Sequence, residues 1–179
     1  MRNGKYLFLI WCCWILIPLQ AKVTPPNYNF SLDTLQNFWP GTLLSAIQKK
    51  YGTGTIIQKD DTTTIYKFYV EQIRYKFPIF IQVYAGKVLD FYCRLPTYFL
   101  HDIFHQSIIN RFRVQDSYKK IEANAIYIWK NRNGVDLIYS GTCTITCFPI
   151  YFAAITTTPP AKLKKYRSLW HQFSSPATQ

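Results

Sequence analysis

The chain has 179 residues, of which 49% are hydrophobic and 18% aromatic, and it carries a formal net charge of +12 at pH 7. A chain of this length can bury roughly two-thirds of its unfolded surface, so a hydrophobic core is feasible without disulfide or metal support. The charge alone excludes no class of partner, because anionic lipid, acidic glycan, nucleic acid and acidic protein all attract a basic protein.

Residues 1–21 are typical of an export signal. Arg2 and Lys5 precede the apolar run Tyr6–Leu19, and an acceptable cleavage site lies before Lys22. The run is shorter than the about 20 apolar residues that cross a bilayer. An uncleaved N-terminal anchor is the alternative, because a bulky leucine lies three residues before the cleavage site. We therefore expect an exported protein, either periplasmic or secreted, whose mature chain begins at Lys22.

The first part of the mature chain changes from helical spacing to alternation. Residues 22–30 are a proline-rich extended lead-in, and residues 31–96 form a first unit. Ser31 is expected to cap a short helix with Trp39 on its apolar face, and a second helix follows. Pro78 is expected to open the third strand of this unit. The four strands are predicted at residues 55–59, 63–70, 79–84 and 88–95.

Residues 97–159 repeat this order of elements. Thr97 is expected to cap a helix that ends near Phe112, and the alternating segments that follow predict four more strands. These strands are predicted at residues 118–122, 125–130, 135–142 and 147–157. The segment TIYKF at Thr64–Phe68 is similar to AIYIW at Ala125–Trp129. A duplication accounts for this similarity, and the alternative is that two similar orders arose independently.

The pattern predicts an α+β fold made of two tandem helix-plus-antiparallel-sheet units of order α-β-β-β-β, with helices covering one sheet face. This layout resembles that of the tandem-repeat β-lactamase inhibitor proteins and of other duplicated helix-plus-sheet modules. The resemblance covers the element order alone. No motif is shared, so it assigns no role to any residue of this chain.

Residues 160–179 form a basic tail after a threonine-rich linker. Apolar side chains recur in it at helical spacing, with basic residues around them. The residues concerned are Leu163, Lys164, Lys165, Tyr166, Arg167, Trp170 and Phe173. One interpretation is a frayed end or a helix docked on its own domain. The other is a helix that binds a membrane surface or a partner protein.

The cysteines that remain after cleavage are Cys93, Cys143 and Cys147. An oxidising compartment allows one disulfide and leaves one thiol. On one straight strand Cys143 and Cys147 would lie about 13 Å apart, so they pair only if residues 144–146 form a turn. Pairing of Cys93 with either of them is the alternative. The CxxxC spacing is not typical of a zinc site, and we predict no metal or other cofactor.

The pattern HDIFH places His101 and His105 four residues apart on a predicted helix. That spacing permits joint metal ligation and resembles the zinc-protease pattern HExxH. Asp102 is shorter than the glutamate of that pattern, and the sequence offers no evident third ligand nearby. We therefore interpret the pair as partly buried histidines at the edge of the core, and we predict no catalytic residue.

Basic residues alternate with tyrosines in the strands of the first unit. These candidate partner-binding residues are Lys67, Tyr69, Arg74, Tyr75, Tyr92 and Arg94. Tyrosine and arginine are enriched at protein interfaces. Nucleic acid is a weaker hypothesis, because an exported protein rarely meets it and no RNA-binding signature is present.

These features favour an exported, non-catalytic binding or scaffold protein of the bacterial cell envelope, such as a subunit or accessory of a secretion-type complex. Its partner would be another protein, with membrane-surface contact through the tail. One alternative is a secreted inhibitor or effector that binds an enzyme or a host protein. Another is a small metal-dependent hydrolase built around His101 and His105.

Overall fold

A computed structural model describes residues 29–72, 75–97, 99–143, 147–163 and 166–173. The helices are α1 (Asn29–Gln36), α2 (Leu44–Tyr51), α3 (His101–Phe112) and α4 (Leu169–Phe173). The strands of the first half are β1 (Thr55–Lys59), β2 (Thr63–Gln72), β3 (Tyr75–Tyr84) and β4 (Lys87–Leu95). Those of the second half are β5 (Ser117–Ile121), β6 (Asn124–Arg132), β7 (Val135–Cys143) and β8 (Cys147–Thr156).

All eight strands form one antiparallel sheet in the order β1-β2-β3-β4-β8-β7-β6-β5. Each half is a four-stranded meander, and the last strands of the two halves pair with each other, from Asp90↔Ile155 to Leu95↔Ile150. The α+β class and the antiparallel pairing predicted from the sequence are therefore confirmed. The two sets of strands share one continuous sheet.

The larger core lies between the sheet and helices α1 to α3, on what we call the helix face. Alternation along the strands sends every second side chain to this face. Its largest fully buried side chains are Trp129, Tyr139, Phe38, Phe68, Phe91, Phe104 and Phe152. Phe91 of β4 and Phe152 of β8 meet edge to face at 5.8 Å, and the ring of Trp39 lies 5.7 Å from Phe91. Aromatic packing thus covers the line where the two halves join.

Two predicted helix starts are wrong. Helix α1 begins at Asn29 and ends before Trp39, so Ser31 lies within the helix and not at the position before it. Trp39 follows the helix but still packs against the core. Helix α3 begins at His101, and the leucine before it has no side-chain capping bond. Thr97 is too far from this helix to cap it. A turn intervenes, in which the Phe99 N–H donates a hydrogen bond to the Pro96 carbonyl.

The start of β3 also differs from the prediction. The strand begins at Tyr75, and Pro78 lies within it, paired with Tyr69 of β2. The ladder between β3 and β4 begins only at Ile79↔Cys93. Proline has no N–H to donate, so it is tolerated where a strand is paired on one side alone.

The predicted export signal, residues 1–21, lies outside the described residues, as do residues 22–28 of the lead-in. Within the described ranges, no helix combines the length and the hydropathy needed to cross a membrane.

Candidate functional site

The sheet face opposite the helices, which we call the tail face, carries a second apolar cluster that the chain's own C-terminal segment covers. The strand residues of this cluster are Ile65, Phe80, Tyr92, Tyr151 and Ala153. The Phe173 ring lies 5.3 Å from that of Phe80 and 5.5 Å from that of Tyr92. Leu169 is fully buried. Since Tyr92 belongs to β4 and Ala153 to β8, the tail lies across the join between the two halves.

Asp90 fastens the tail to this face. One oxygen of its carboxyl group, Oδ2, accepts a hydrogen bond from the Tyr166 hydroxyl at 2.7 Å and another from the Leu169 N–H at 3.0 Å. The other oxygen, Oδ1, is buried and has no hydrogen-bond partner of good geometry among the described residues. Asp90 has no exposed surface at all. A single strand residue therefore holds two points of the tail.

Burial controls the protonation of this carboxyl group. Removal from water raises the pKa of Asp90 from its ordinary value of 3.8 to about 7, although the hydrogen bonds from Tyr166, Leu169 and the Gln82 backbone oppose the rise. Burial also raises the pKa of Tyr166, and the nearby Asp90 adds to this effect. Tyr166 therefore stays protonated and remains a donor to Asp90 at neutral pH.

Beside the docked tail, two lysines flank an exposed tyrosine on the tail face. The ammonium nitrogens of Lys67 and Lys76 lie 5.4 Å and 5.2 Å from the ring centroid of Tyr69. Tyr69 keeps 45% of its surface exposed. Distances of this size allow cation–π attraction, which orders the lysines over the ring. We call Lys67, Tyr69 and Lys76 the lysine–tyrosine patch.

The other candidate partner-binding residues are distributed differently. Tyr92 lies beneath the tail and is only 6% exposed, whereas Tyr75 is 46% exposed at the start of β3. Arg94 is on the same strand as Tyr92, and its guanidinium lies 5.1 Å from the Phe148 ring. Arg74, and Lys164 and Lys165 of the tail, lie outside the described residues.

The tail divides its face into two grooves. The larger, of about 560 Å³, lies between the tail and the β1–β2 turn, with Asp60 and Asp61 on one side and Lys162, Leu163 and Arg167 on the other. The smaller, of about 460 Å³, lies between the tail and strands β6 to β8. The tail therefore leaves open surface on both of its sides.

Substitution of Leu169 tests how firmly the tail is docked. We expect Leu169→Ala to weaken docking of the tail by about 2 kcal/mol or more, because it leaves a cavity where a fully buried side chain packed. Hydrogen exchange of the tail amides should then be about 30-fold faster, while the amides of β3 and β7 keep their protection. Phe173→Ala, at a side chain that is 43% exposed, is the milder control. Unchanged exchange in Leu169→Ala would contradict the docking.

A second cluster lies on the helix face, where α3 meets the β7–β8 hairpin. Cys143 and Cys147 form a disulfide there, where the antiparallel strands β7 and β8 pair at these two residues, as the first of the two predicted alternatives required. Cys93 is a buried free cysteine, which argues against the other alternative. His101 and His105 stack at 5.8 Å, and Nδ1 of His101 lies 2.7 Å from the hydroxyl oxygen of Tyr139.

The histidines of this cluster favour the neutral state. Burial lowers the pKa of His101, and burial followed by the charge of its neighbour lowers that of His105. Burial also raises the pKa of Tyr139, so its hydroxyl remains protonated. A neutral imidazole has one ring nitrogen that can accept a hydrogen bond or ligate a metal, and Nδ1 of His101 is the one that contacts the Tyr139 hydroxyl.

Two features of these sites were missed from the sequence. Asp90 is an acidic residue within the otherwise apolar strand segment VLDFYC, and such a residue calls for buried partners. Gly141 lies in an apolar strand, where a glycine often marks the close approach of another group. A Cβ at this position would lie 3.4 Å from Nδ1 of His101. Neither residue type identifies the group that it contacts, because the contacting residues are far apart in the chain.

No protein-family model, no curated protein and no solved structure matches the chain.

Proposed function

We propose that this protein is an exported, non-catalytic binding protein that holds an acidic protein partner on its tail face. The observation that carries the proposal is the lysine–tyrosine patch, where two cations flank an exposed ring on a rigid antiparallel sheet. Strand residues are held in place by the pairing of their neighbours, so a partner meets a preorganised surface. The formal charge of +12, of which Arg2 and Lys5 of the signal-like segment contribute two, favours association with acidic surfaces.

Export is the second part of the proposal. It rests on the signal-like residues 1–21, and the disulfide between Cys143 and Cys147 is the kind of bond that persists in an oxidising compartment. The location that fits both is the periplasm or the exterior of a bacterial cell. A subunit or accessory of an envelope complex of the secretion type is the role we favour.

The docked tail favours a protein partner over a membrane. Leu169, Trp170 and Phe173 are the apolar side chains that an interfacial helix would bury in lipid. In this protein they pack on the tail face, against residues such as Tyr92. While the tail is docked, these side chains are committed to the sheet, and the tail serves as one border of the binding surface.

We also propose that the two halves arose from one duplicated unit. If β1 to β4 are exchanged with β5 to β8, the sheet has the same strand order read from its other edge. A two-fold axis between β4 and β8 requires this. The helices of both halves contribute to one core on the same face. A two-fold axis perpendicular to the sheet keeps both sets of helices on that face.

Affinity capture with matched variants tests the proposed function. The full chain, tagged after Gln179, is crosslinked in its native cells and recovered from the envelope and from the medium. We expect the triple variant K67A/Y69A/K76A to retain a partner about tenfold less well than the wild type, because interface tyrosines carry much of the binding energy and the lysines attract an acidic surface.

The control for this experiment removes the same residue types from another region. The variant K49A/Y118A/K120A changes two exposed lysines and one exposed tyrosine of α2 and β5. It should retain the partner as the wild type does. Equal losses in both variants, or no protein that depends on the patch, would overturn the proposal. A partner that is a host or rival enzyme in the medium would instead favour the secreted-inhibitor hypothesis.

A further inference from the structure

Three metal-ligating side chains converge where α3 meets the β7–β8 hairpin. A ring nitrogen of His101 and the sulfur atoms of Cys143 and Cys147 all lie within 4.8 Å of one another. His101 is in the first turn of α3, Cys143 ends β7 and Cys147 begins β8. All three side chains are half-buried, so an ion from solvent has access to them.

We propose that, once the disulfide is reduced, the thiolates of Cys143 and Cys147 and the imidazole of His101 bind one Zn²⁺ ion. This inference does not depend on the proposed function. The site therefore has two forms, a disulfide under oxidising conditions and a zinc centre under reducing ones.

The chemistry of the conversion balances with a dithiol as the reductant. The Sγ–Sγ bond breaks and takes up two electrons and two protons, which the dithiol supplies as it closes into a disulfide. Zinc then displaces one proton from each thiol, because the thiolate is the form that ligates metal. Two thiolates neutralise the charge of the ion, which reduces the cost of holding it in a half-buried position.

The distances suit a tetrahedral zinc ion. Zinc–sulfur bonds of about 2.3 Å and zinc–nitrogen bonds of about 2.0 Å place the ligand atoms of a tetrahedron about 3.5 to 3.8 Å apart. The three ligand atoms of this cluster already lie within 4.8 Å of one another. Breaking the disulfide lets the sulfurs separate, and rotation about the side-chain bonds then reaches the required spacing. Three protein ligands leave the fourth position to water.

Gly141 leaves the space that such an ion needs. A Cβ at this position would meet Nδ1 of His101 at 3.4 Å, Cβ of Cys147 at 3.5 Å and Sγ of Cys143 at 3.7 Å. It would therefore stand among all three ligand residues. The donor set also selects the ion, because thiolate and imidazole ligands prefer zinc to magnesium or calcium.

The test is a zinc titration of the full-length protein, reduced with a phosphine and compared with its oxidised form. Competition with a chromogenic chelator measures stoichiometry and affinity, and Co²⁺ as a second probe reports thiolate coordination through its absorption spectrum. We expect one zinc ion per reduced chain and none in the oxidised chain. Cys143→Ser and Cys147→Ser should abolish binding, and His101→Ala, which removes a direct ligand, should weaken it at least about 10-fold.

Two controls and one further variant complete the test. Cys93→Ala and His171→Ala remove a cysteine and a histidine outside the cluster, and both should bind zinc as the wild type does. Gly141→Ala should fold, because its new contacts are of ordinary length, and should bind zinc more weakly. A reduced protein that binds no zinc would overturn the proposal. Zinc binding that is as strong in both His101→Ala and Gly141→Ala as in the wild type would also overturn it.

Discussion

Replacement of Asp90 by asparagine is expected to make the protein more stable than the wild type at pH 7, by up to about 4 kcal/mol, and no more stable near pH 4. The wild-type carboxyl group has its pKa raised by burial from 3.8 to about 7. Between these values the folded protein keeps a proton that the unfolded chain has released. The unfolding free energy therefore falls as the pH rises through this range, and the penalty is complete above pH 7.

Asparagine keeps an oxygen that can accept from the Tyr166 hydroxyl and the Leu169 N–H, but it does not ionise. Urea denaturation of both proteins at a series of pH values measures the effect. His101 and His105, whose pKa values burial lowers, add a gain in stability as the pH rises toward 6.5. This contribution is common to both proteins and cancels in the difference. Parallel profiles of wild type and Asp90→Asn would contradict the assignment.

The Trp129→Ala variant is expected to lose about 3–5 kcal/mol of unfolding free energy. Trp129 is fully buried in β6, and its indole N–H donates a hydrogen bond to the Arg113 carbonyl at 2.8 Å. The Arg132 side chain similarly donates to the Phe112 carbonyl at 3.1 Å. The C-terminal carbonyls of α3 thus depend on two side chains of β6, and Trp129 adds its large apolar surface to the core.

Trp129→Phe separates packing from hydrogen bonding. It retains a ring but leaves the Arg113 carbonyl without its indole donor, so we expect a smaller loss of about 1–2 kcal/mol. Trp170→Ala, at a half-buried tryptophan of the tail, is the control for loss of the same side chain elsewhere. Denaturant titration at one pH gives all three values. A loss in Trp129→Ala no larger than that in Trp170→Ala would show that Trp129 has no special role.

The local elements were largely predictable because their signals are local. Alternating residues and the turns at Ala85-Gly86 and Asn133-Gly134 locate most of the strands within a few residues of their observed bounds. The signal for the tail was partly misleading. Its apolar residues recur at helical spacing, yet only Leu169–Phe173 is helical among the described tail residues, and Tyr166 donates its hydrogen bond to Asp90 from a non-helical position.

The sites were less predictable because they depend on contacts between distant residues. Tyr166 and Asp90 are 76 positions apart, and His101 and Tyr139 are 38 apart. A single sequence indicates that Asp90 and His101 need partners when buried, but it does not say which residues supply them. The pairing of β4 with β8, which makes one sheet of two meanders, is non-local in the same way.

The position of this pair in the chain affects the order of assembly. Every other neighbouring pair in the sheet joins strands that are consecutive in the chain, so it can form as soon as both strands exist. Strand β4 must wait until α3 and four more strands have been made. Until then the backbone N–H and C=O groups along one edge of β4 remain unpaired, and such an edge invites association with other chains. The tail packs over the same line, so its docking covers the centre of the sheet where β4 and β8 meet.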